Sequence, residues 1–214
     1  MILSLKYLLL CVLWIINTDF KNTPYALVQD NNDVNDVIVD CNYTFEKATS
    51  GIEIPKSILK QLTLVDVEYY SFDKKLHRGQ LVINKKAAKD IIEIFEIIKE
   101  IKFPVNKVIP VVYYYWSDEA SMKDNNSSSF NYRIVKGFKV LSAHSYGLAI
   151  DINPMQNPHV KGKTILPSGA KYDTKSEGTI IRDSRIVNEF KKRGWQWGGR
   201  WRSSKDYQHF EKKN

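Results

Sequence analysis

The sequence predicts an α+β domain. Three observations point there: apolar and aromatic runs of strand length, stretches with helical periodicity and capping residues, and no regular strand–helix alternation of the βαβ kind. The chain has 214 residues, 43% hydrophobic and 12% aromatic, which is enough to bury a core and excludes wholesale disorder. Its 10 Gly and 7 Pro exclude collagen-like and linker compositions, and its 2 Cys exclude a disulfide scaffold.

Met1–Lys6 carries one positive charge, and Tyr7–Ile16 is an unbroken apolar run. That run is too short for a bilayer core, which needs about 20 residues, but matches a secretory h-region of roughly 7–15. Residues 1–18 are therefore expected to be a signal peptide, and the protein to be exported, periplasmic or extracellular. An uncleaved segment would be its only membrane contact. Cleavage leaves Cys41 without an intramolecular partner. Residues 19–50, with Asn/Asp clusters from Asp30 to Asp36, read as a linker or extended N-terminal segment, so the compact domain is expected over residues 51–214.

Leu64–Phe72 and Leu81–Ile83 read as strands. Asn84 makes a good N-cap for a helix to Ile101, with Ala88, Ile91, Ile92, Phe95 and Ile98 along one face and Pro104 beyond its end. Val108–Trp116 is β-branched and aromatic, and reads as a central strand. Residues 117–129, with Asn125, Asn126 and three consecutive serines, read as loop. Leu148–Ile152 reads as a short strand, and Ser184–Arg193 as a short helix closed by Gly194.

The formal net charge of +8 is unevenly spread: residues 1–160 carry 18 basic and 18 acidic side chains, residues 161–214 carry 14 and 6. A basic C-terminal quarter suits an anionic partner or a lysine-rich solvated surface. No nucleic-acid-binding motif accompanies it, so no nucleic acid is expected.

The chemistry lies between Arg133 and the C-terminus. In Ser142-Ala-His144-Ser-Tyr-Gly147-Leu-Ala149-Ile-Asp151, a histidine on a glycine-containing turn precedes a strand carrying a carboxylate. In Asp206-Tyr-Gln-His209-Phe-Glu, a second histidine follows the run Trp195-Gln-Trp-Gly-Gly-Arg-Trp201. Two imidazoles and one carboxylate (His144, His209, Asp151) make a tetrahedral zinc site with a fourth position left for water. A carboxylate outside the metal shell must then carry the proton, and Asp206 is suitably near in sequence. His77 and His159 read as structural. Residues three apart in a regular strand face opposite ways, so Asp206 is expected in a turn or at a bulge before His209.

These two blocks, Ser142–Pro158 and Gly194–Glu211, resemble the zinc peptidases of bacterial cell-wall peptides. That family holds D-alanyl-D-alanine carboxypeptidases and dipeptidases of the VanY and VanX kind, and L-alanyl-D-glutamate endopeptidases. The resemblance implies one Zn2+ per chain held by His144, Asp151 and His209, with Asp206 as general base and acid. It implies that Arg133 stabilises an oxyanion and that Ser142 orients the substrate or His144. It also implies the family's hedgehog-like fold, a small antiparallel sheet flanked by helices with the zinc site on the sheet, acting as a monomer on peptidoglycan peptides. The tail favours cleavage between L-alanine and D-glutamate, yet a D,D-carboxypeptidase stays open. So does a non-catalytic cell-wall or ligand-binding module, which a missing ligand or base would favour.

Overall fold

The computed structural model describes residues 37–213 apart from residues 136 and 138. The expected signal peptide and residues 19–36 of the expected linker lie outside them. Among the described residues no helix is long and apolar enough to cross a membrane.

The folded unit starts upstream of residue 51. A short strand β1 (Ile38–Val39) pairs in parallel with a later strand, and a helical turn α1 (Phe45–Ala48) is capped by the Thr44 side chain. After α2 (Lys56–Leu59) come β2 (Leu62–Tyr70) and β3 (Leu76–Asn84), an antiparallel hairpin in register from Leu62↔Asn84 to Tyr70↔Leu76. These strands extend the two expected runs. The order in this sheet is β1-β3-β2.

Helix α3 (Lys85–Glu100) begins where its cap requires, with the Asn84 side chain accepting from the Lys86 N–H. Its buried face is Ala87, Ile91, Ile94, Phe95 and Ile98. The helix is turned slightly from the expected face, leaving Ile92 43% exposed. Ile94 takes the inward position because it continues the i, i+3, i+4, i+7 row from Ala87 and Ile91.

Val108–Trp116 is not a central strand. Only β4 (Lys107–Val108) is extended, while Val111–Tyr114 forms a 3-10 turn and Tyr115 and Trp116 adopt positive φ. Pro110 sets the chain into this turn and removes a ladder donor, and Val111 and Tyr114, three apart, become the buried pair. Residues 117–129 are likewise ordered into α4 (Asp118–Lys123) and β5 (Asn126–Ser127). Ser117 caps α4 by accepting from Ala120 N–H, with Asp118 and Glu119 in its first turn.

The C-terminal part supplies β6 (Ala149–Asp151), the hairpin β7 (His159–Lys161) and β8 (Thr164–Leu166), α5 (Arg185–Lys192), β9 (Trp195–Trp197), β10 (Lys205–Asp206) and β11 (His209–Lys212). Two small antiparallel sheets result, ordered β6-β11-β9 and β10-β7-β8. Helix α5 has its expected Ser184 cap and packs Ile186, Val187 and Phe190 into the core beside Trp195 and Phe210. The architecture is the expected α+β class, with the antiparallel strands divided among small sheets. One continuous core under α3 joins Tyr69, Ile83 and Ile91 to Ile150, Phe190 and Phe210, and so ties the hairpin to the strands that carry the site.

His77 lies away from that site. Its ring bridges Asp40 (2.9 Å) and Asp73 (3.2 Å), which binds the end of β1 and the β2–β3 turn to β3. Burial disfavours its cation, but the two carboxylates outweigh this and raise its pKa above the ordinary value of about 6.5. A raised folded-state pKa stabilises the fold at pH below the unfolded value, and that contribution is lost as pH climbs through the folded one. Between about pH 6 and 9, Tm is therefore expected to fall more in the native chain than in His77→Gln. Parallel Tm curves for the two would refute this role.

Candidate metal centre

The site begins with a pinned turn. Ser142 accepts the His144 N–H on its side chain (3.3 Å) and the Ser145 N–H on its carbonyl (2.9 Å), so Ala143–Tyr146 winds into a 3-10 turn. Gly147 ends it at φ +62, where any Cβ would come within 2.6 Å of the Asn84 nitrogen. Its carbonyl accepts from the Asn84 N–H (2.9 Å), and the Asn84 amide donates to the Tyr146 carbonyl (3.0 Å). The start of α3 thus fixes the turn that presents His144. Asp151 ends β6, and His209 opens β11 directly opposite it in the antiparallel register.

These three side chains meet, and all are buried. His209 Nδ1 lies 2.9 Å from Asp151 Oδ1 and 3.2 Å from His144 Nε2, and His144 Nε2 lies 3.4 Å from Asp151 Oδ2. The outward nitrogens decide what the inward ones can do. His144 Nδ1 sits 2.5 Å from the Ser129 carbonyl, which only accepts, so Nδ1 carries the hydrogen and Nε2 presents a lone pair. His209 Nε2 faces the Glu211 carboxylate at 3.3 Å and donates to it, which leaves Nδ1 facing inward. Two ring lone pairs and a carboxylate therefore converge, and only a positive charge between them satisfies all three. In the metal-free chain that charge is a proton. Burial opposes it, but the hydrogen bonds to Asp151 and Glu211 raise the His209 pKa to about 10. Burial likewise opposes an ionised Asp151, yet His144 and His209 hold its carboxyl well below the usual carboxylate range.

The donor set fits a zinc ion: two imidazole nitrogens and a carboxylate, with hydrogen-bonded outer partners that fix their orientation. All the ligand atoms lie within 4.8 Å of one another.

Asp206 and His209 face the same region because they belong to different sheets. Asp206 ends β10, the chain bends through Tyr207–Gln208, and His209 opens β11. The expected turn is thus a switch between sheets. The Tyr207 ring stacks on Tyr172 at 3.5 Å and its N–H donates to the Pro158 carbonyl (3.2 Å), which anchors the bend. Gly198 lets the Trp197–Trp201 stretch lie against it, since a Cβ there would meet the Asp206 carbonyl at 2.6 Å. Asp206 Oδ1 is buried and has no hydrogen-bond partner among the described residues. Burial, and then the negative charge of Asp151, push its carboxyl above the usual range, while His209 and His159 pull against them.

Arg133 joins the site through its backbone: its N–H donates to Ser145 Oγ (2.9 Å) and its carbonyl accepts from Ser142 N–H (3.0 Å). Its guanidinium pairs with Asp118 at 3.0 Å, and its buried Nε has no partner among the described residues. Ser142 is buried with its hydroxyl turned to the His144 N–H, an orienting position. Two contributors escaped the sequence reading. Glu211 shares the His209 face of β11, as alternate strand residues do, and Ser129 acts through its main-chain carbonyl. The segment around Ser129, read as loop, is the rail beside β6: Ser128 and Asp151 exchange both backbone hydrogen bonds (3.0 and 2.8 Å). A separate cavity of about 340 Å³ is lined by Phe190, Trp195, Trp197, Arg200, Trp201 and Phe210 among others, and by none of the three converging residues or Asp206.

Residues 136–212 match the family described as D-alanyl-D-alanine carboxypeptidase, which bears out the resemblance to cell-wall zinc peptidases over that span. The span includes Ser142, His144, Asp151, Asp206 and His209, and starts just after Arg133. No solved structure matches the chain.

With three protein ligands, His144→Ala and His209→Ala are each expected to abolish stoichiometric zinc binding. Glu211→Gln should keep zinc but weaken it by about 10- to 100-fold, as loss of an outer-shell partner does. Zinc competition against a chelator checks both, and unchanged affinity in the alanine variants would contradict the site.

Proposed function

We propose that the protein is a zinc-dependent peptidase that hydrolyses the stem peptides of peptidoglycan after export. The observation that carries this reading is the buried convergence of His144, Asp151 and His209, with a second carboxylate, Asp206, close enough to feel the charges of Asp151 and His209 and with its Oδ1 unpartnered among the described residues.

His144 Nε2, the Asp151 carboxylate and His209 Nδ1 would hold the metal. Zinc there would supply a Lewis acid that polarises the scissile carbonyl and makes water acidic enough to attack at neutral pH. The chain's own residues manage the proton and the charge. Burial of its carboxylate and the charge of Asp151 outweigh the pull of His209 and His159 and raise the proton affinity of Asp206, so it can take a proton from the attacking water and return it to the leaving amine. The unpartnered Arg133 Nε supports the expected oxyanion role, since a buried donor without a partner gains most when charge develops on a substrate oxygen. The pairing with Asp118 holds the guanidinium plane while leaving that donor free. Ser142 contributes by keeping His144 in place.

A non-catalytic binding module is less favoured, because a module of that kind needs neither a complete ligand set nor a carboxylate with a buried, unpartnered oxygen beside it. Two cleavages fit the reading, removal of a terminal D-alanine or release of the first L-alanine from D-glutamate. Defined muropeptides analysed by mass spectrometry separate the two products.

Asp206→Asn keeps the size of the side chain but cannot accept the proton. This variant is expected to retain zinc and Tm while losing at least about 100-fold in turnover, within the usual range for general acid–base catalysis. Asp151→Asn should instead lose metal. An Asp206→Asn enzyme with native turnover would overturn the assignment of the base.

A further inference from the structure

The pairing of β10 with β7 puts a third histidine beside the proton-carrying carboxylate. Asp206 and His159 are direct partners in the antiparallel register, with Lys205 opposite Val160 and the Tyr207 N–H closing on the Pro158 carbonyl. Directly opposite residues of an antiparallel pair project from the same face, with Cβ atoms about 4.5–5.5 Å apart. The Asp206 carboxylate and the His159 imidazole therefore stand side by side. Neither is fully used: Asp206 Oδ1 is buried without a partner, and no side-chain hydrogen bond to the half-buried His159 ring is present among the described residues. The next position in the row is Leu166, opposite His159 on β8 and 36% exposed, an apolar side chain with no hydrogen bond to offer the imidazole.

We propose that His159 is a positioning residue for Asp206: its imidazole donates to the unpartnered carboxylate oxygen and keeps the other oxygen turned toward the metal centre during the reaction. This rests on the peptidase reading above. Two flat groups on adjacent strands reach each other by side-chain rotation alone, and catalytic hydrogen bonds are often long in a substrate-free enzyme and tighten when substrate binds. The rigid backbone around them suits that task. Stacking of Tyr207 on Tyr172 fixes one end of β10, and the Lys205 ammonium donates to the Trp201 carbonyl (2.5 Å) at the other.

The test compares His159→Phe, which keeps a planar ring without donors, with His159→Gln, which keeps a donor. In the zinc-loaded protein the Phe variant is expected to lose about 10- to 100-fold in kcat, with KM, zinc content and Tm close to native. The Gln variant should recover most of the loss. A structural role would instead lower Tm and leave kcat in place, and that result would overturn the proposal, as would a Phe variant with native kcat. A second readout does not depend on activity: 15N spectra of the imidazoles in the native chain and in Asp206→Asn. The His159 ring signals should move while those of His77 stay, and unmoved His159 signals would refute the pairing. If the native chain cleaves no muropeptide, the peptidase reading falls, and the 15N comparison still decides the pairing.

Discussion

Three acceptors that face one another cannot stay buried without a positive charge among them. This constraint organises the C-terminal half of the molecule. His144 Nε2, His209 Nδ1 and the Asp151 carboxylate are pressed to within 3.4 Å of each other in a place closed to water. Leaving such groups unpaired in a low-dielectric interior is costly, so the fold must either hold a cation there or keep a proton. The outer partners, a main-chain carbonyl behind His144 and the Glu211 carboxylate behind His209, remove the third option of turning the rings away.

Much of the surrounding architecture follows. The rail of Ser127–Ser129 must run beside β6 to deliver the carbonyl that fixes His144, and so this polar segment is buried. The turn holding His144 must abut the β3–α3 junction, which only glycine at position 147 permits. The chain must change sheets between Asp206 and His209 for both side chains, three residues apart, to face the same region. The close approach at Gly198 and the Tyr172–Tyr207 stack are what that change of sheet needs. Small, separate sheets are thus a consequence of presenting side chains from several short strands to one point.

The three converging residues and Asp206 were legible because their spacing is local: a capped turn before a short strand, and an Asp-x-x-His pair beside an aromatic tail. Helix α3 was legible through Asn84 and its periodic apolar face, and α5 through Ser184. The illegible parts share one cause, that tertiary partners decide the local state. The β-branched run after Val108 looked like a strand, but Pro110 turned it into a 3-10 turn whose buried pair is three residues apart. The Asn/Ser-rich stretch looked like a solvated loop, yet Asn126 donates to the Ile109 carbonyl (2.9 Å) and Ser129 to the Ala149 carbonyl (2.6 Å) inside the core. Ser129 contributes a main-chain atom, which leaves no trace in residue identity. His159 stands close after Asp151 in sequence, but only the register shows it opposite Asp206.

The chain's own outer contacts aim two imidazoles and one carboxylate at a single point suited to one ion. X-ray absorption at the zinc edge of the stoichiometrically loaded protein tests it most directly. Two nitrogen scatterers with imidazole outer shells are expected at about 2.0–2.1 Å and carboxylate or water oxygen at about 2.0–2.2 Å, with no sulfur. A spectrum with fewer than two imidazoles, or with sulfur from Cys41, would contradict it.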